Sequence, residues 1–592
     1  MRRALMLLLG FVIAAATTGS ALRASGAPVP PGCDAGRRAV AHTPGGAALA
    51  HQPAAAPVTC GVTTGVAAAE SHIVVAGNGS IIYTPAVLPS GVVGAGSGPP
   101  VGGSTQANAN PAGMAVTADG GKTWTTVKPF GVTWNPTDHG DYVDRKTGRF
   151  FYENYGPIPL APELGPAQDG PAHLMWTDDE TTWHHTVLPG FVLPENPRFT
   201  SAVAPAGQPA PVGYPNVVYF CANTNVGFTT PAILFRLCYK SLDGGSAWQQ
   251  TSVLFSALAP QHPECGTTGE SFSAVDGYYP EPTRDGALYV LVSCGGKTYL
   301  AKSVDEGSTF PILHTASGPV ELAVPADSIT EAIGSGPQLR TDQNDNLYLS
   351  YPSTVGGVVK KLFVRISTDG GLTWSPPADV TAPGVTSILR WSVAQGGPGA
   401  LAYASIGQRA GQTTWDAYMT QTTDLVDALK AARAPVLWSG VTNGQPLMYA
   451  DHIVGAGYIV GQGEIDVPYP FPLGIQPIGG NGQASAGNDF IGVTYGPDGT
   501  AWGSFNQDCG PTPSSAGCLA DQDQTRGFVG RLLFGVPPTA TGESAAAPPA
   551  TGGAIAATGG TGALPLAGLL AVIAGAGLVG LRRRTRRAAS PR

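Results

Sequence analysis

Apolar residues form a continuous segment at each end of the chain and only short runs between them. At the N-terminal end, the apolar segment from Ala4 to Ala16 follows Arg2 and Arg3 and leads into small residues up to Ala21. A basic start, an apolar stretch too short to span a bilayer comfortably and a small-residue end are typical of a secretory signal peptide. We therefore predict a signal peptide over residues 1–21 and export of the body of the chain.

The apolar segment near the C-terminus, Leu564 to Leu581, contains eighteen residues without a charge, and five arginines follow within the next six residues. This order predicts a transmembrane helix over residues 564–581 and a basic cytoplasmic tail over residues 582–592. The stretch 537–563 before it is rich in Ala, Gly, Pro and Thr, which predicts an extended stalk. Membrane anchoring then places the body at the cell surface.

Two short motifs in the stalk resemble sortase sorting signals, which consist of a motif, an apolar helix and a basic tail in that order. They are Pro549-Ala550-Thr551-Gly552 and Ile555-Ala556-Ala557-Thr558-Gly559. Both depart from the LPxTG and LAxTG forms, since Pro548 stands where the first has Leu and Ile555 replaces Leu in the second. Covalent attachment to a cell wall and simple membrane anchoring both stay open. Either implies an extracellular, surface-anchored protein.

Between the ends, short apolar runs alternate with turns, and one octapeptide recurs among them. Its clearest copies are Thr117–Trp124, Ser241–Trp248 and Ser367–Trp374, and weaker ones are Trp176–Trp183 and Ser303–Phe310. Their aspartates, taken as Asp119, Asp178, Asp243, Asp305 and Asp369, are separated by 59 to 65 residues. A step of this length accommodates four short strands with their turns, which is one blade of a β-propeller.

A second turn motif precedes an apolar strand in several of these steps. It occurs at Asp144, Asp285, Asp345 and Asp498, and Thr422-Thr423-Asp424 looks like the remnant of a sixth octapeptide. In the octapeptide itself, Asp and Ser/Thr hydrogen-bond the backbone of a tight turn, Gly supplies a positive φ, and Trp packs beneath the hairpin. These structural duties lead us to expect no catalytic role for the octapeptide aspartates.

The octapeptide S/T-x-D-x-G-x-x-W resembles the Asp box, or BNR repeat, of the sialidase (neuraminidase) superfamily. The resemblance implies an all-β fold, a six- or seven-bladed β-propeller over residues 60–536. The Ala/Gly/Pro-rich segments on either side, 22–59 and 537–563, have little apolar surface to bury, so their composition predicts disorder. Asp boxes occur in propellers without hydrolytic activity as well, so the resemblance is specific for the fold and not for catalysis.

Cysteine usage and charge narrow the possible partners. Eight cysteines without a CxxC pair or zinc-ligand spacing fit an oxidising compartment, and we predict nearest-neighbour disulfides: Cys33–Cys60, Cys221–Cys238, Cys265–Cys294 and Cys509–Cys518. The net charge is −8, although eight of the arginines lie in the two terminal segments. The body is therefore acidic, and we expect no nucleic-acid partner. No motif predicts a cofactor or a metal, and we interpret the acidic run Asp138–Asp144 as a charged turn rather than a calcium loop.

A sialidase-type site requires arginines around a substrate carboxylate, a tyrosine nucleophile activated by a glutamate, and an aspartate acid/base. The family's F/Y-R-I-P motif is missing here, and no arginine lies between Arg38 and Arg145. Propeller sites gather at the starts of inner strands, where we place Asp138, His139, Asp451 and His452 among the polar candidates. From this set we predict catalytic roles for Asp141, Glu270 and Tyr449, and a substrate-binding clamp of Arg198, Arg340 and Arg390.

These observations favour a surface propeller that binds a glycan or a protein partner, without ordinary sialidase activity. One alternative is an exo-acting, sialidase-type glycoside hydrolase for an acidic sugar, which would depend on the three clamp arginines. Another is an adhesion or assembly scaffold with no small ligand.

Overall fold

A computed structural model provides the fold. It describes residues 33–50, 56–67, 69–86, 114–134, 139–154, 157–158, 172–188, 194–225, 233–256, 261–266, 270, 279–325, 336–355, 358–443, 446–449, 491–507 and 526–534. The predicted signal peptide, stalk, transmembrane segment and tail lie outside these ranges, as do Asp138, Asp451 and His452. In the described part, no helix has the length and apolar character needed to cross a membrane.

The described chain is almost entirely β-structure. Its helical elements are one α-helix, Leu425–Lys430, and two short 3₁₀ turns at Pro129–Gly131 and Pro263–Cys265. Within the described ranges, hydrogen bonding gives four four-stranded sheets, one five-stranded sheet, one ten-stranded sheet and two two-stranded pairs. The ten-stranded sheet contains two groups of four strands, so the described strands form seven four-stranded units, which we call sheets 1 to 7. We number them from the N-terminal side, with sheet 7 completed by an early strand.

The strands of each sheet are given in order from the innermost to the outermost. Sheet 1 contains Ala69–Val75, Ile81–Ala86, Met114–Thr117 and Thr125–Val127; sheet 2 contains Gly140–Val143, Phe150–Asn154, Ala172–Thr177 and His184–Leu188. Sheet 3 contains Pro194–Ala202, Val217–Asn225, Ile233–Ser241 and Gln249–Ser256; sheet 4 contains Glu281–Pro282, Leu288–Cys294, Lys297–Ser303 and Glu321–Leu322. Sheet 5 contains Gln338–Thr341, Leu347–Val355, Val358–Ser367 and Ala378–Asp379; sheet 6 contains Val385–Gln395, Leu401–Arg409, Thr414–Thr422 and Leu437–Val441. Sheet 7 contains Val493–Tyr495, Ala501–Gln507, Arg526–Leu533 and Val58–Ala67.

Short additional strands extend or connect the sheets. Cys33–Arg38 adds a fifth strand to sheet 7, Val40–His42 extends sheet 6, and the pair Val359–Ile388 joins sheets 5 and 6 into one hydrogen-bonded unit. The remaining strands pair outside this plan: Thr133–Trp134 with Pro157–Ile158, His314–Thr315 with Gly318–Pro319, and Met448–Tyr449 with the third strand of sheet 6.

The seven innermost strands contact one another in sequence, and the inner strand of sheet 7 returns to that of sheet 1. Sheet 7 takes three strands from the C-terminal part of the fold and one, Val58–Ala67, from the N-terminal part, so the ring is closed by hydrogen bonds between distant parts of the chain. Four-stranded antiparallel sheets arranged around an axis define a β-propeller. The structure therefore confirms the predicted all-β propeller fold.

Apolar burial occurs mainly between neighbouring sheets. Phe151, Phe199 and Phe220, for example, pack together between sheets 2 and 3, and comparable clusters fill the other junctions. Because each sheet buries its two faces against its neighbours, the strand edges nearest the axis are free to carry polar side chains. This packing is what makes a polar central site possible.

The folded region begins earlier than the predicted residue 60. The strands Cys33–Arg38 and Val40–His42 lie inside the segment 22–59, which composition predicts to be disordered. His42 is buried there, and its Nε2 lies 2.8 Å from the Ser439 hydroxyl of sheet 6. Pairing with the outer edges of sheets 6 and 7 orders this segment, and composition alone does not reveal such pairing.

The octapeptide turns have the hydrogen bonds that their residues predict. In the first copy, the Thr117 hydroxyl donates to Asp119 at 2.8 Å, while Oδ1 of Asp119 accepts the backbone N–H groups of Lys122 and Thr123 at 2.8 and 3.0 Å. Equivalent bonds occur at Asp243, Asp305 and Asp369. The Thr422 hydroxyl also donates to Asp424, just before the α-helix. All these aspartates are engaged by their own turns.

In the second copy, the turn aspartate is one residue later than predicted. Asp179 accepts from Thr177 and from the N–H groups of the following turn, whereas Asp178 binds the guanidinium of Arg149 at 2.8 and 2.7 Å. The prediction aligned the copies on Trp183, but this turn is shorter by one residue between Asp and Trp. The hydroxyl–carboxylate pair, rather than the tryptophan, sets the register.

Two of the predicted disulfides are confirmed. Cys221–Cys238 joins adjacent strands of sheet 3, and Cys265–Cys294 ties a loop to sheet 4. Cys33 and Cys60 are opposite each other in the register of sheet 7. The predicted Cys509–Cys518 pair lies outside the described residues. Disulfides indicate an oxidising, extracytoplasmic environment.

Two octapeptide turns carry glutamate where the others have glycine. Glu180 and Glu306 have φ values of 62° and 56°, a conformation that favours glycine. Glu306 is fully buried and ion-paired with Lys240 of sheet 3, whereas Glu180 accepts a hydrogen bond from Asn78 at the surface, at 3.0 Å. Glu180 and Glu306 thus have the same strained backbone conformation, but the Glu306–Lys240 contact is buried and the Glu180–Asn78 contact is exposed.

We expect Glu306→Ala to lower the free energy of unfolding by about 3 to 5 kcal/mol, because it leaves the Lys240 ammonium without its buried counter-charge. Glu180→Ala is the matched control. It has the same backbone conformation and should cost about 1 kcal/mol or less, since it loses one exposed hydrogen bond. Urea unfolding followed by tryptophan fluorescence measures both, and equal losses in the two variants would contradict the importance of the buried pair.

Candidate functional site

The inner strands enclose a cavity of about 330 Å³ on the propeller axis. A pocket of this size lies within the usual range for small-molecule sites, roughly 300 to 1,000 Å³. Every sheet contributes polar or aromatic side chains to its walls: His72, Asp141, Arg145, Arg198, Tyr279, Glu281, Arg340, Gln395 and Tyr495 are among them. Alternate residues of each inner strand face the axis, which is how a short strand presents one or two side chains to a shared centre.

Two of the three predicted clamp arginines line this cavity, and the third does not. Arg198 from sheet 3 and Arg340 from sheet 5 are both in its wall. Arg390 is buried on the inner strand of sheet 6, where its Nη1 donates to the carbonyl of Leu389 at 2.9 Å, and it lies outside the wall. The residues of that strand that line the cavity are Ser392 to Gln395, which come after Arg390 along the chain. The structure therefore does not bring Arg390 into the cavity with Arg198 and Arg340.

Arg145 of sheet 2 takes the third arginine position in the cavity. Its Nη2 donates to the carbonyl of Gln395 at 2.9 Å, across the axis in sheet 6. The side chain is exposed to the cavity, yet desolvation by the surrounding walls lowers its pKa. An arginine remains charged despite such a shift, so Arg145 places a cation on the axis.

Arg340 is held by several partners. Its Nε donates to the carbonyl of Val393 at 2.8 Å, and its Nη1 lies 3.0 Å from Oε1 of Glu281 in sheet 4. Burial raises the pKa of Glu281. The positive charges of Arg340 and Arg145 act to lower this pKa, but their effect is smaller than that of burial. Glu281 consequently binds a proton more readily than an ordinary glutamate, and only its ionised form offsets the positive charge of Arg340.

Arg198 lies on the other side of the cavity. Its Nη1 donates to the carbonyl of Pro197 at 2.9 Å, and its guanidinium lies 5.9 Å from the ring centroid of Tyr279. Tyr279 also stacks beneath Arg236, at 4.3 Å, which fixes the ring between two cations. Sheets 2, 3 and 5 thus each supply one guanidinium to a common space.

Asp141, predicted as catalytic, lies in the wall but is almost inaccessible, with 3% of its side chain exposed. Oδ2 accepts the Thr84 hydroxyl at 2.6 Å, and Oδ1 lies 3.3 Å from Nδ1 of His72. Burial tends to raise the pKa of Asp141, but the hydrogen bond and charge of His72, together with His139 and Thr84, hold it below the usual value. Asp141 is therefore a carboxylate anchored behind His72.

The structure does not bring the other two predicted catalytic residues to the cavity. Oε1 of Glu270 accepts the backbone N–H of Gln261 and of His262 and also faces Nδ1 of His262, at 2.6 to 2.8 Å. These bonds make Glu270 an acceptor that shapes a loop beside sheet 4, outside the cavity wall. Tyr449 lies on the strand Met448–Tyr449, which is not an inner strand. The backbone of this strand pairs with Thr414 and Trp415 in the third strand of sheet 6.

Glu281, Arg145 and His72 were missed as site residues, although a signal for one of them is present in the sequence. The inner strands of sheets 4 and 5 end in turns that begin at Thr283 and Asp342, shown by the Thr283–Ala287 and Asp342–Asn346 backbone bonds. Counting back two residues from each turn gives Glu281 and Arg340, both of which face the axis. Sequence reasoning recognised the turns but did not count back from them.

The cavity walls offer carboxylate, guanidinium and imidazole groups but no recognisable metal centre. Across the residues that the structure describes, no three His, Cys, Asp or Glu side chains come together as a ligand set. The fold and this site define the class of molecule: a β-propeller with a polar, arginine-lined axial cavity.

Comparisons with known proteins give distant structural similarities only. No protein-family model matches the chain, and no curated protein matches it either. Similar solved structures include a protein of unknown function from Dyadobacter fermentans DSM 18053, with 10% identity over 67% of this chain and 98% of that one and a TM-score of 0.34. The Hadza microbial sialidase Hz136 has 14% identity over 60% of this chain and 67% of that one, with a TM-score of 0.33. The α-L-arabinofuranosidase Arb93A of Fusarium graminearum has 11% identity over 66% and 92% of the two chains, with a TM-score of 0.32. At these values the comparisons assign no activity to this chain.

Proposed function

We propose that this chain is a cell-surface, seven-bladed β-propeller whose axial cavity binds an acidic glycan. The observation that carries the proposal is the presence of Arg145, Arg198 and Arg340, from three different sheets, in one cavity. Guanidinium groups bind carboxylates through charge-assisted, often bidentate hydrogen bonds. A sugar that bears a carboxylate is the ligand class that fits this charge.

The size and position of the cavity favour a glycan terminus over a protein surface as the ligand. A space of about 330 Å³ enclosed by inner strands admits a small ligand or the end of a chain, whereas a protein interface needs a much broader contact. The predicted signal peptide and the C-terminal anchor, through a membrane helix or a sortase-like motif, would present this cavity outside the cell. The disulfides are consistent with that location.

Calorimetric titration of the full chain with glucuronic acid, N-acetylneuraminic acid and glucose tests the proposal. The two acids should bind and glucose should not, and affinity for the acids should fall as salt rises. Equal affinity for glucose and glucuronic acid would contradict a carboxylate site. A glycan array with the same protein then identifies the preferred sugar.

Arg198→Ala should weaken binding of the acidic sugar about 10- to 100-fold, because each charge-assisted hydrogen bond contributes roughly 1.5 to 3 kcal/mol. Arg145→Ala should give a loss of similar size. Arg284→Ala is the matched control, since its side chain is 75% exposed in a turn outside the cavity wall. The clamp is disproved if Arg198→Ala and Arg284→Ala bind the acid equally well.

A glycoside hydrolase for acidic sugars is the second candidate. The supporting observation is that burial raises the pKa of Glu281 while the neighbours of Asp141 hold its pKa low. Carboxyl groups whose pKa values are driven apart are typical of acid–base pairs in glycosidases. Release of a fluorophore from a sialoside, with kcat lost in Glu281→Gln and kept in the exposed control Glu321→Gln, would support hydrolysis.

A further inference from the structure

Two arginines of the cavity are anchored next to each other on one strand. Nε of Arg340 donates to the carbonyl of Val393 at 2.8 Å, and Nη2 of Arg145 donates to the carbonyl of Gln395 at 2.9 Å. Val393 and Gln395 are two residues apart on the inner strand of sheet 6, so their carbonyls are separated by about 7 Å along that strand. The two guanidinium groups therefore belong to one corner of the cavity.

The two arginines differ in how many of their donors are already used. Arg340 donates to Glu281, to Gln338 and to two backbone carbonyls. For Arg145, the bond across the axis is the one hydrogen bond that it makes within the described residues, and its side chain is exposed to the cavity. Arg145 thus has donors left for a ligand, whereas Arg340 is held by partners within the protein.

Glu281 places a carboxyl group in the same corner. Its Oε1 lies 3.0 Å from Nη1 of Arg340, and both side chains are 20% exposed. The other carboxylic acid among the described cavity-lining residues, Asp141, is only 3% exposed. The charge of Arg145 also acts on Glu281 and lowers its pKa, although burial has the larger effect and raises it. Glu281 is thus the acid that a ligand at these two arginines would meet.

A ligand carboxylate on Arg145 would share this corner with the carboxylate of Glu281. Two carboxylates in one poorly solvated space do not both stay ionised, because their repulsion raises the pKa of one of them. Burial already favours the protonated form of Glu281. Once protonated, its carboxyl group keeps an oxygen that accepts from Arg340 and gains an O–H donor for the ligand. Protonation therefore turns Glu281 from a competitor of the ligand into a partner.

We propose that binding of an acidic glycan in this cavity is coupled to the uptake of one proton by Glu281. The inference rests on the proposed binding of an acidic sugar and adds its regulation, because the glycan then binds more tightly in acid. Protonated Glu281 no longer neutralises Arg340, whose charge becomes available to the ligand together with that of Arg145. The anion and the proton enter together, so binding leaves the net charge of the cavity unchanged.

The direction of the pH dependence follows from this coupling. Where Glu281 is ionised in the free protein, it has to take up a proton on binding. Affinity therefore falls as the pH rises above the pKa of free Glu281, by up to about tenfold per pH unit. Below that pKa, the proton is already present and affinity stays constant. The fall ends at the still higher pKa that Glu281 has beside a bound anion.

Other groups around Glu281 come from sheets 2, 3, 4, 5 and 7. The charged and titratable residues that line this part of the cavity, or oppose Glu281 in its own sheet, are Arg145, Arg198, Tyr279, Tyr289, Arg340 and Tyr495. Guanidinium and phenol groups generally keep one charge state up to about pH 9. Across the cavity, the neighbours of Asp141 hold its pKa low. His72 is then the other group in the described wall whose charge can change, and a variant has to separate it from Glu281.

Calorimetric titration of the full chain with glucuronic acid, in buffers that differ in ionisation enthalpy, counts the protons taken up per bound sugar. Between about pH 5 and 9, at constant ionic strength, we expect the uptake to approach one proton, and the dissociation constant to rise with pH where uptake is largest. Binding of the acid with no proton uptake and one affinity throughout would overturn the coupling and leave the proposed function intact. Absence of binding by every acidic sugar would overturn both.

Glu281→Gln imitates the protonated side chain and keeps an oxygen for Arg340. It should bind glucuronic acid with no proton uptake and with one affinity across the range, at least about 10-fold tighter than the wild type at the alkaline end. Glu321→Gln is the matched control: this carboxylate belongs to the same sheet and pairs with Lys297 at 2.6 Å, but it is 45% exposed outside the cavity wall. It should keep the wild-type pH dependence.

Two results with folded Glu281→Gln would reject the assignment. Proton uptake that persists in this variant would mean that another group, such as His72, carries the coupling. Loss of binding at every pH would mean that the carboxylate of Glu281 serves only to hold Arg340 in place. The proton count of the wild-type protein tests the coupling independently of how the variant folds.

Discussion

Gly61→Ala is expected to abolish stable closure of the propeller. Gly61 lies on the strand Val58–Ala67, opposite Gly530 of sheet 7. A Cβ atom at this position would lie 2.1 Å from the carbonyl oxygen of Thr442 and 2.3 Å from the ring of Phe528. The carbonyl belongs to the backbone just after the outer strand of sheet 6 and cannot move aside as a flexible side chain would. Sheets 6 and 7 would have to separate.

The loss in free energy of unfolding should therefore exceed about 4 kcal/mol, at the extreme end of single substitutions. Gly397→Ala is the matched control, because nothing lies within 4 Å of a Cβ there and its backbone conformation suits any residue. It should change stability by less than about 0.5 kcal/mol. Urea unfolding and limited proteolysis measure both variants, and a cooperative Gly61→Ala protein of wild-type stability would show that the two sheets do not approach so closely.

Acid should destabilise the protein through His139. Burial and the charges of His72 and Arg198 lower the pKa of this imidazole to about 3, from 6.5 in an unfolded chain. As the pH falls below 6.5, the unfolded state gains a proton that the folded state does not accept. Stability is thus fully present above pH 6.5 and declines steadily down to about pH 3.

This difference in pKa corresponds to a loss of free energy of unfolding of about 5 kcal/mol across that window. Other groups face the same ring: Asp141 raises the pKa, and its own lowered pKa also makes the folded state less stable in acid. His139→Gln should remove a large part of the slope between pH 6.5 and 4, and should leave the contributions of Asp141 and of His185, whose pKa burial lowers to about 4. Urea unfolding at a series of pH values, with His314→Gln as an exposed control, measures it. A wild-type slope retained in His139→Gln would mean that another group is responsible.

The fold was predictable because its signal is repeated. Five octapeptides spaced at 59 to 65 residues predict blades, and the bonds at Asp119, Asp243, Asp305 and Asp369 confirm what the turn chemistry requires. The single error, Asp178 in place of Asp179, arose because a one-residue deletion leaves the spacing almost unchanged. The strands before residue 58 were not predictable, since they are ordered by edges that form only in the assembled ring.

The cavity was harder to predict because it depends on which side of a short strand faces the axis. Arg198, Arg340 and Asp141 line the cavity, whereas Arg390 lies on its strand before the lining residues Ser392 to Gln395. Glu270 has the carboxyl group that an acid–base role requires, but it lies outside the cavity. It accepts hydrogen bonds from the backbone of Gln261 and His262, in a loop whose position the sequence does not predict. Glu281 and His72 acquire their importance from Arg340 and Asp141, which belong to neighbouring sheets.

The strand that closes the ring also sets the order in which the protein can fold. Val58 pairs with Leu533, so the first and last parts of the propeller to be synthesised meet in one sheet. Closing so long a loop costs conformational entropy and is slow compared with forming each local sheet. Sheets 1 to 6 can assemble as the chain emerges, while the strand Val58–Ala67 has to wait with an exposed edge until Arg526–Leu533 arrives. During that interval the unfinished seventh sheet is the region most exposed to mispairing with another chain.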